Sequence, residues 1–307
     1  MRRWFGILAA TTALMTALAA CGGDNDNNGG SSSGGSKDVT VRLASNDFTE
    51  QLILGEIYKQ SLEKAGYKVD YKAKLGPREI VAPALENGQI DMYVEYAGSA
   101  NAILAKNEGV KDPQQIYQQL TQYYAGKGIT PLDMAPMSDQ NAFTVTQDTA
   151  KKYNLRTLSD LAKVSDQLVL GGPPECEQRV TCLKGYEQTY NAKVKAFKPI
   201  AQGALKYQAL LNNDIQIALS FTTDGIIAKE NLLVLQDDKG VFPPDQAVPV
   251  VRNDLLSKAG QEFKDTVNKV SAKITTEEIT KLNAAVDLDK EDPEDVASKW
   301  LSDQGLT

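Results

Sequence analysis

The chain has 307 residues, with 33 Lys and Arg against 40 Asp and Glu and no histidine. A net charge of −7 offers no basic footprint for nucleic acid. The missing imidazole removes the commonest metal ligand and the commonest general base.

The N-terminus reads as an export signal. Arg2 and Arg3 give a positive start, and Trp4 to Ala17 is apolar or small apart from Thr11, Thr12 and Thr16. That run is too short for an ordinary membrane span. Leu18-Ala19-Ala20-Cys21 has the form of a bacterial lipobox, with small residues before a cysteine whose thiol would receive a diacylglycerol. Residues 1–20 are then a lipoprotein signal peptide. The alternative is an ordinary secretory signal with an incidental cysteine. Cleavage before Cys21 removes two arginines and no acids, so the mature side chains sum to −9. Gly22 to Ser36 contains only Gly, Ser, Asn and Asp. Such a run buries no apolar surface, so residues 21–37 form a lipidated cysteine and a flexible tether reaching roughly 20 Å.

Val39–Ala44 alternates as a strand, and Ser45–Glu50 leads into a helix over about Glu50–Ala65 that Gly66 stops. A strand at Val69–Lys74, a helix at Pro77–Asn87 and a strand ending at Tyr96 complete a βαβαβ unit, the pattern of a parallel sheet. Asn87-Gly88 turns the chain because both residues tolerate positive φ. Tyr96 stands at the carboxyl end of a strand, where open α/β sheets bind ligands.

The same arrangement returns 125 positions later. Ala84–Ile90 answers to Ala209–Ile215, Tyr96 falls on Phe221, and Ala97-Gly98-Ser99 falls on Thr222-Thr223-Asp224. The pattern predicts two similar lobes facing one site; chance recurrence of a common turn is the alternative. Between the units, helices are expected at about Ala100–Asn107 and Pro113–Lys127. An apolar strand at Asn141–Thr146 would make the first crossing between lobes. The second lobe has strands at Leu168–Leu170 and Val194–Phe197, helices at Leu183–Tyr190 and Gly203–Asn212, and the strand ending at Phe221. Val234-Leu235 and Val248–Arg252 suggest further strands, the latter the return crossing, before a helical tail over Asp254–Leu301. The expected division is residues 38–143 plus 249–307 for the first lobe and 144–248 for the second.

Beyond Cys21 two cysteines remain, Cys176 and Cys182. In an exported chain such a pair reads as a disulfide, with two free thiols as the alternative. The short loop contributes only about 2 kcal/mol of chain entropy but would rigidify Glu177–Thr181. No Cys/His or Ser/His pair exists, no carboxylate spacing singles out a catalytic pair, and Gly171-Gly172-Pro173-Pro174 matches neither phosphate-loop pattern. The residues point to binding rather than turnover, with no cofactor.

Four segments carry a resemblance: Ser45–Glu56, Asp91–Ser99, Phe221–Gly225, and Phe242-Pro243-Pro244 with Ala247–Arg252. Together they resemble the osmoprotectant substrate-binding lipoproteins of ABC importers, which bind glycine betaine, choline or carnitine. The resemblance implies a two-lobed type II periplasmic-binding fold, α/β in each lobe, that closes over its ligand by a hinge. It implies an ABC permease and ATPase as partners, a lipid anchor as the membrane contact, and a monomer. In that family tyrosines box the trimethylammonium group by cation–π attraction. Tyr96 matches a box tyrosine. Phe143 and Phe221 lie where tyrosine is frequent, and Asp245 lies where a fourth is common. On the carboxylate side Ser99 replaces a usual threonine, Arg179 matches an arginine, and Asn46 replaces a lysine. Read as residues alone, Phe143 and Phe221 suit core packing, Arg179 a surface ion pair, and Asp245 a solvated turn. A different cationic or amino-acid-derived solute, or a sensory lipoprotein without transport, are the alternative functions.

Overall fold

A computed structural model describes residues 35–306. The expected signal peptide, Cys21 and most of the expected tether lie outside the described residues. The first half runs β1 (Thr40–Ala44), α1 (Thr49–Lys64), β2 (Lys68–Lys72), α2 (Arg78–Glu86), β3 (Met92–Tyr96), α3 (Ala97–Ile103), α4 (Pro113–Ala125) and β4 (Ile129–Pro131). The chain continues through β5 (Asn141–Val145), α5 (Gln147–Tyr153), α6 (Leu158–Ala162), β6 (Val169–Gly172), α7 (Leu183–Tyr190), β7 (Ala196–Pro199), α8 (Ala204–Leu211), β8 (Ile217–Phe221), α9 (Ile226–Lys229) and β9 (Leu233–Val234). It returns through β10 (Ala247–Arg252) and ends in α10 (Asn253–Ser271), α11 (Thr276–Asp287) and α12 (Pro293–Asp303).

Two five-stranded sheets result, in the orders β2-β1-β3-β10-β4 and β7-β6-β8-β5-β9. Each has three parallel strands and then an antiparallel strand, β10 or β5, supplied by chain returning from the other half. β5 pairs wholly within the second sheet and β10 wholly within the first, so the chain passes between them just before Asn141 and just before Ala247. There the two passing segments touch: Ser138 and Gln246 form an antiparallel bridge, and the Asp139 N–H donates to the Asp245 carbonyl at 2.9 Å. Helices cover both faces of each sheet, with apolar clusters around Ile53, Leu54 and Phe263 on one side of the first and around Val81, Tyr93 and Leu120 on the other.

The internal repeat holds at the level of hydrogen bonds. Gln89 N–H donates to Ala84 O and Asp214 N–H to Ala209 O, both at 2.8 Å; Gly88 N–H to Leu85 O and Asn213 N–H to Leu210 O are both 3.1 Å. Gly88 has φ 71° and Asn213 φ 62°, so the left-handed residue is the second of each turn. The first, Asn87, keeps a negative φ of −85°. Elsewhere the small-residue helix starts at Ala97, directly on the strand end, rather than at Ala100. Two short helices, α5 and α6, stand where the sequence shows too few periodic apolar positions to predict them.

Left-handed backbone costs a Cβ-bearing residue about 1–2 kcal/mol. Gly88→Ala should therefore lower the unfolding free energy by about 1 kcal/mol, and Asn213→Gly should leave it within about 0.5 kcal/mol. Urea denaturation of both variants measures the difference.

Candidate functional site

A cavity of about 130 Å³ opens between the two sheets. Its walls come from the carboxyl ends of parallel strands in both lobes: Asn46 and Phe48 after β1, Pro77 and Arg78 after β2, Tyr96 at the end of β3, Pro173 and Pro174 after β6, Gln202 after β7, and Phe221 at the end of β8. Asp139, Asn141 and Asp245, from the two crossings, line it as well.

Three aromatic rings meet there. Phe48 stacks on Tyr96 with centroids 6.1 Å apart and lies 5.2 Å from Phe221. Phe48 was not among the predicted site residues, although it sits in the loop at the carboxyl end of the first strand. Phe143 does not line the cavity. It is wholly buried in the second lobe, edge-on to Tyr186 at 5.2 Å and Phe242 at 5.4 Å. Successive same-face residues of a strand are two apart, so Asn141 takes the rim and Phe143 falls one step inside the core.

The remaining predicted residues all border the cavity. Asn46 donates its side-chain amide to Gly76 O at 3.0 Å. Ser99 and Asp245 hold each other: the Ser99 N–H donates to Asp245 Oδ1 at 2.9 Å, and the Ser99 hydroxyl donates to Oδ2. Gly98 makes this approach possible, because a Cβ there would lie 2.1 Å from the Pro244 carbonyl oxygen. Asp245 is 3 % exposed, so it is no solvated turn residue. Burial pushes its carboxyl up to about 7, although the Arg78 charge and the Ser99 bonds pull the other way. Arg179 makes an ion pair and lines the cavity as well, reaching across the lobes to Glu79.

Beneath these lies polar structure that sequence reasoning missed. Arg78 forks onto Glu95, with Nε 3.0 Å from both carboxylate oxygens and NH2 2.7 Å from Oε1. Glu95 also accepts from the Tyr93 hydroxyl and the Tyr96 N–H, each at 2.7 Å. Burial by itself lowers the Arg78 pKa, but Glu95 outweighs it and keeps the guanidinium charged. Glu50 accepts from Tyr96 OH at 2.6 Å, Thr223 Oγ1 at 2.7 Å and Asn283 Nδ2 at 2.8 Å. It thereby ties the first lobe, the second lobe and α11 together. Burial raises the Glu50 carboxyl, and burial with the neighbouring Glu50 and Asp224 charges raises Asp139 further. Cys176 and Cys182 are joined as a disulfide, which encloses Arg179. Among the described residues no group of acidic or cysteine side chains is arranged to hold a metal ion.

Acidic groups dominate the cavity: Asp47, Asp139, Glu175 and Asp245 face two arginines, both engaged by carboxylates. Such a site suits a small cation held against aromatic faces. A family model described as the substrate-binding domain of the ABC-type glycine betaine transport system matches residues 39–303. The chain belongs to this family. It is 34 % identical over 270 residues to a carnitine transport binding protein of Listeria monocytogenes, covering 87 % of each chain. It is 28 % identical over 282 residues to a glycine-betaine-binding protein of Pseudomonas aeruginosa, covering 87 % of this chain and 88 % of that one. An ergothioneine transport permease and binding protein of Helicobacter pylori is 29 % identical over 266 residues, 86 % of this chain and 47 % of that protein. A crystal structure of a glycine betaine/carnitine/choline ABC transporter superposes with a TM-score of 0.68 at 32 % identity, covering 87 % of this chain and 98 % of that one. The fold of this family member is the type II periplasmic-binding fold, and the family is one of transport substrate-binding proteins.

The raised Asp245 carboxyl has a stability consequence. Between its ordinary 3.8 and about 7 the folded protein keeps a proton that the unfolded chain has released. The stability this group contributes is complete below its unfolded value and is lost as pH rises through about 7. Asp245→Asn cannot ionise, so its melting temperature relative to wild type should increase from about pH 5 to about pH 8. Thermal melts at both pH values test this, and a constant or decreasing difference would contradict it.

Proposed function

We propose that this family member is the extracytoplasmic solute-binding component of an ABC importer and captures a small quaternary-ammonium osmoprotectant of the glycine betaine, choline or carnitine type between its lobes. The carrying observation is the convergence of Phe48, Tyr96 and Phe221, from both lobes, on a cavity bordered by the acidic side chains Asp47, Asp139, Glu175 and Asp245. A quaternary ammonium ion has no proton to donate, so aromatic faces and nearby negative charge are what can hold it. Names of relatives that bind carnitine and glycine betaine support the same ligand class. The Helicobacter relative is named as permease and binding protein in one, which supports a permease, with its ATPase, as the partner. Its ergothioneine name also favours a second reading, a different trimethylated solute on the same rings.

On this reading Asn46, Ser99, Asp245 and Arg179 set the polar end of the site. The protein works as a monomer held to the membrane through a lipid on Cys21. Among the described residues no helix is long and apolar enough to cross a membrane.

Calorimetric titration with glycine betaine, choline, carnitine and ergothioneine tests the ligand class. At least one of the first three should bind, and Tyr96→Ala should weaken it about 2- to 30-fold, the equivalent of one cation–π contact of about 0.5–2 kcal/mol. Binding of ergothioneine alone would favour the second reading, and no binding of any would overturn both. Separately, Cys21→Ala should move the protein from the membrane to the soluble fraction; persistence on washed membranes would rule out the lipid anchor.

A further inference from the structure

Glu79 has no place among the residues expected to touch a ligand, yet it holds the cation on which a ligand carboxylate would depend. Arg179 donates Nε to Glu79 Oε1 at 3.0 Å and NH2 to Glu79 Oε2 at 2.7 Å. This is the two-point fork by which guanidinium groups recognise carboxylates. Arg179 belongs to the second lobe and Glu79 to the first turn of α2 in the first, so the pair spans the cleft. Arg179 is pinned at its backbone, while the Glu79 side chain is 43 % exposed. The Arg179 N–H donates to Cys176 O and its carbonyl accepts from Cys182 N–H, inside the disulfide loop. Glu79 rises from a helix whose next inward residue, Arg78, is buried against Glu95.

Arg78 offers no substitute. It and Arg179 are the two basic residues among the described residues lining the cavity, and its fork with Glu95 is buried. Taking Glu95 away from a buried guanidinium is strongly unfavourable. A ligand carboxylate would therefore have to displace Glu79 from Arg179. It would do so beside Glu175, whose carboxylate is 3.7 Å from the same guanidinium.

We propose that Glu79 is a specificity-determining residue: it occupies Arg179 as an intramolecular carboxylate and makes the cleft favour quaternary cations without a carboxylate over zwitterions that carry one. This rests on the quaternary-ammonium reading of the site. Choline and glycine betaine separate the two cases, because they share the trimethylammonium end and differ in hydroxyl against carboxylate. The glutamate fills the place that the carboxylate of betaine needs, while a hydroxyl makes no demand on the arginine.

The test is calorimetric titration of the full-length protein with choline and with glycine betaine, for wild type, Glu79→Gln and the double variant Glu79→Gln/Arg179→Gln. Wild type should bind choline at least about tenfold more tightly, a gap of about 1.4 kcal/mol. Glu79→Gln should shrink the choline-to-betaine affinity ratio at least about fivefold, and the double variant should restore it, since the gain runs through the released guanidinium. Equal affinities in wild type, or a ratio unmoved by Glu79→Gln, would overturn the inference and leave the quaternary-ammonium reading standing. Failure of choline and glycine betaine to bind, with all proteins melting cooperatively, would overturn the inference, and failure of carnitine as well would remove the quaternary-ammonium reading with it.

Discussion

The buried ion pair between Arg78 and Glu95 is the constraint around which the cleft is arranged. Two charges 8 % and 1 % exposed are costly unless each is fully satisfied. Here Glu95 takes three bonds from the guanidinium, one from Tyr93 and one from the Tyr96 backbone. That last bond fixes the end of β3 where Tyr96 must stand. The guanidinium in turn faces Asp245 and draws its carboxyl down against the pull of burial. Removing either partner would leave an uncompensated charge beneath the cavity, at a cost of about 3–5 kcal/mol.

The two lobes share a plan but not a chemistry. Their sheets have the same strand order, and their helix-turn-strand units match bond for bond. Yet the positions 125 residues beyond Arg78 and Glu95 are Gly203 and Ser220, which form no ion pair. The first lobe thus supplies the buried charge pair and two of the three rings. The second supplies Phe221, Arg179 and the disulfide loop that steadies Arg179. In the second lobe, Lys206 is the buried cation; burial lowers its pKa, and it sits 4.6 Å over the Tyr207 ring.

The fold was legible because it is written in local features. Alternating strands, the Asn87-Gly88 and Asn212-Asn213 turns and a 125-residue repeat survive in sequence. Strand ends point to Tyr96 and Phe221, and both line the cavity. The same rule applied to β1 would have raised Phe48, which stands four residues past Ala44. Phe143 was misplaced because periodicity gives the face of a strand and not the depth along it; Asn141 shares that face and reaches the rim. Glu79, Glu95 and Asp139 were out of reach for a different reason. A carboxylate in sequence looks the same whether it is solvated, buried against an arginine like Glu95, or forked onto one a hundred positions away like Glu79. Only the packing of two lobes reveals which acids have partners.

The paired crossings have a consequence for how a captured ion would leave. Asp139 and Asp245 stand on the two linking segments, joined by the 2.9 Å backbone bond between them. A rotation of one lobe on the other about this ribbon would move these carboxylates least. Phe221 would swing away from Phe48 and Tyr96 with the second lobe. The aromatic wall would come apart while these two side chains stayed in place. Contact with the rings fades within a few ångströms, so the hold on the ion would be lost early in the opening. The polar floor on the linking segments would then be the last surface the ion leaves.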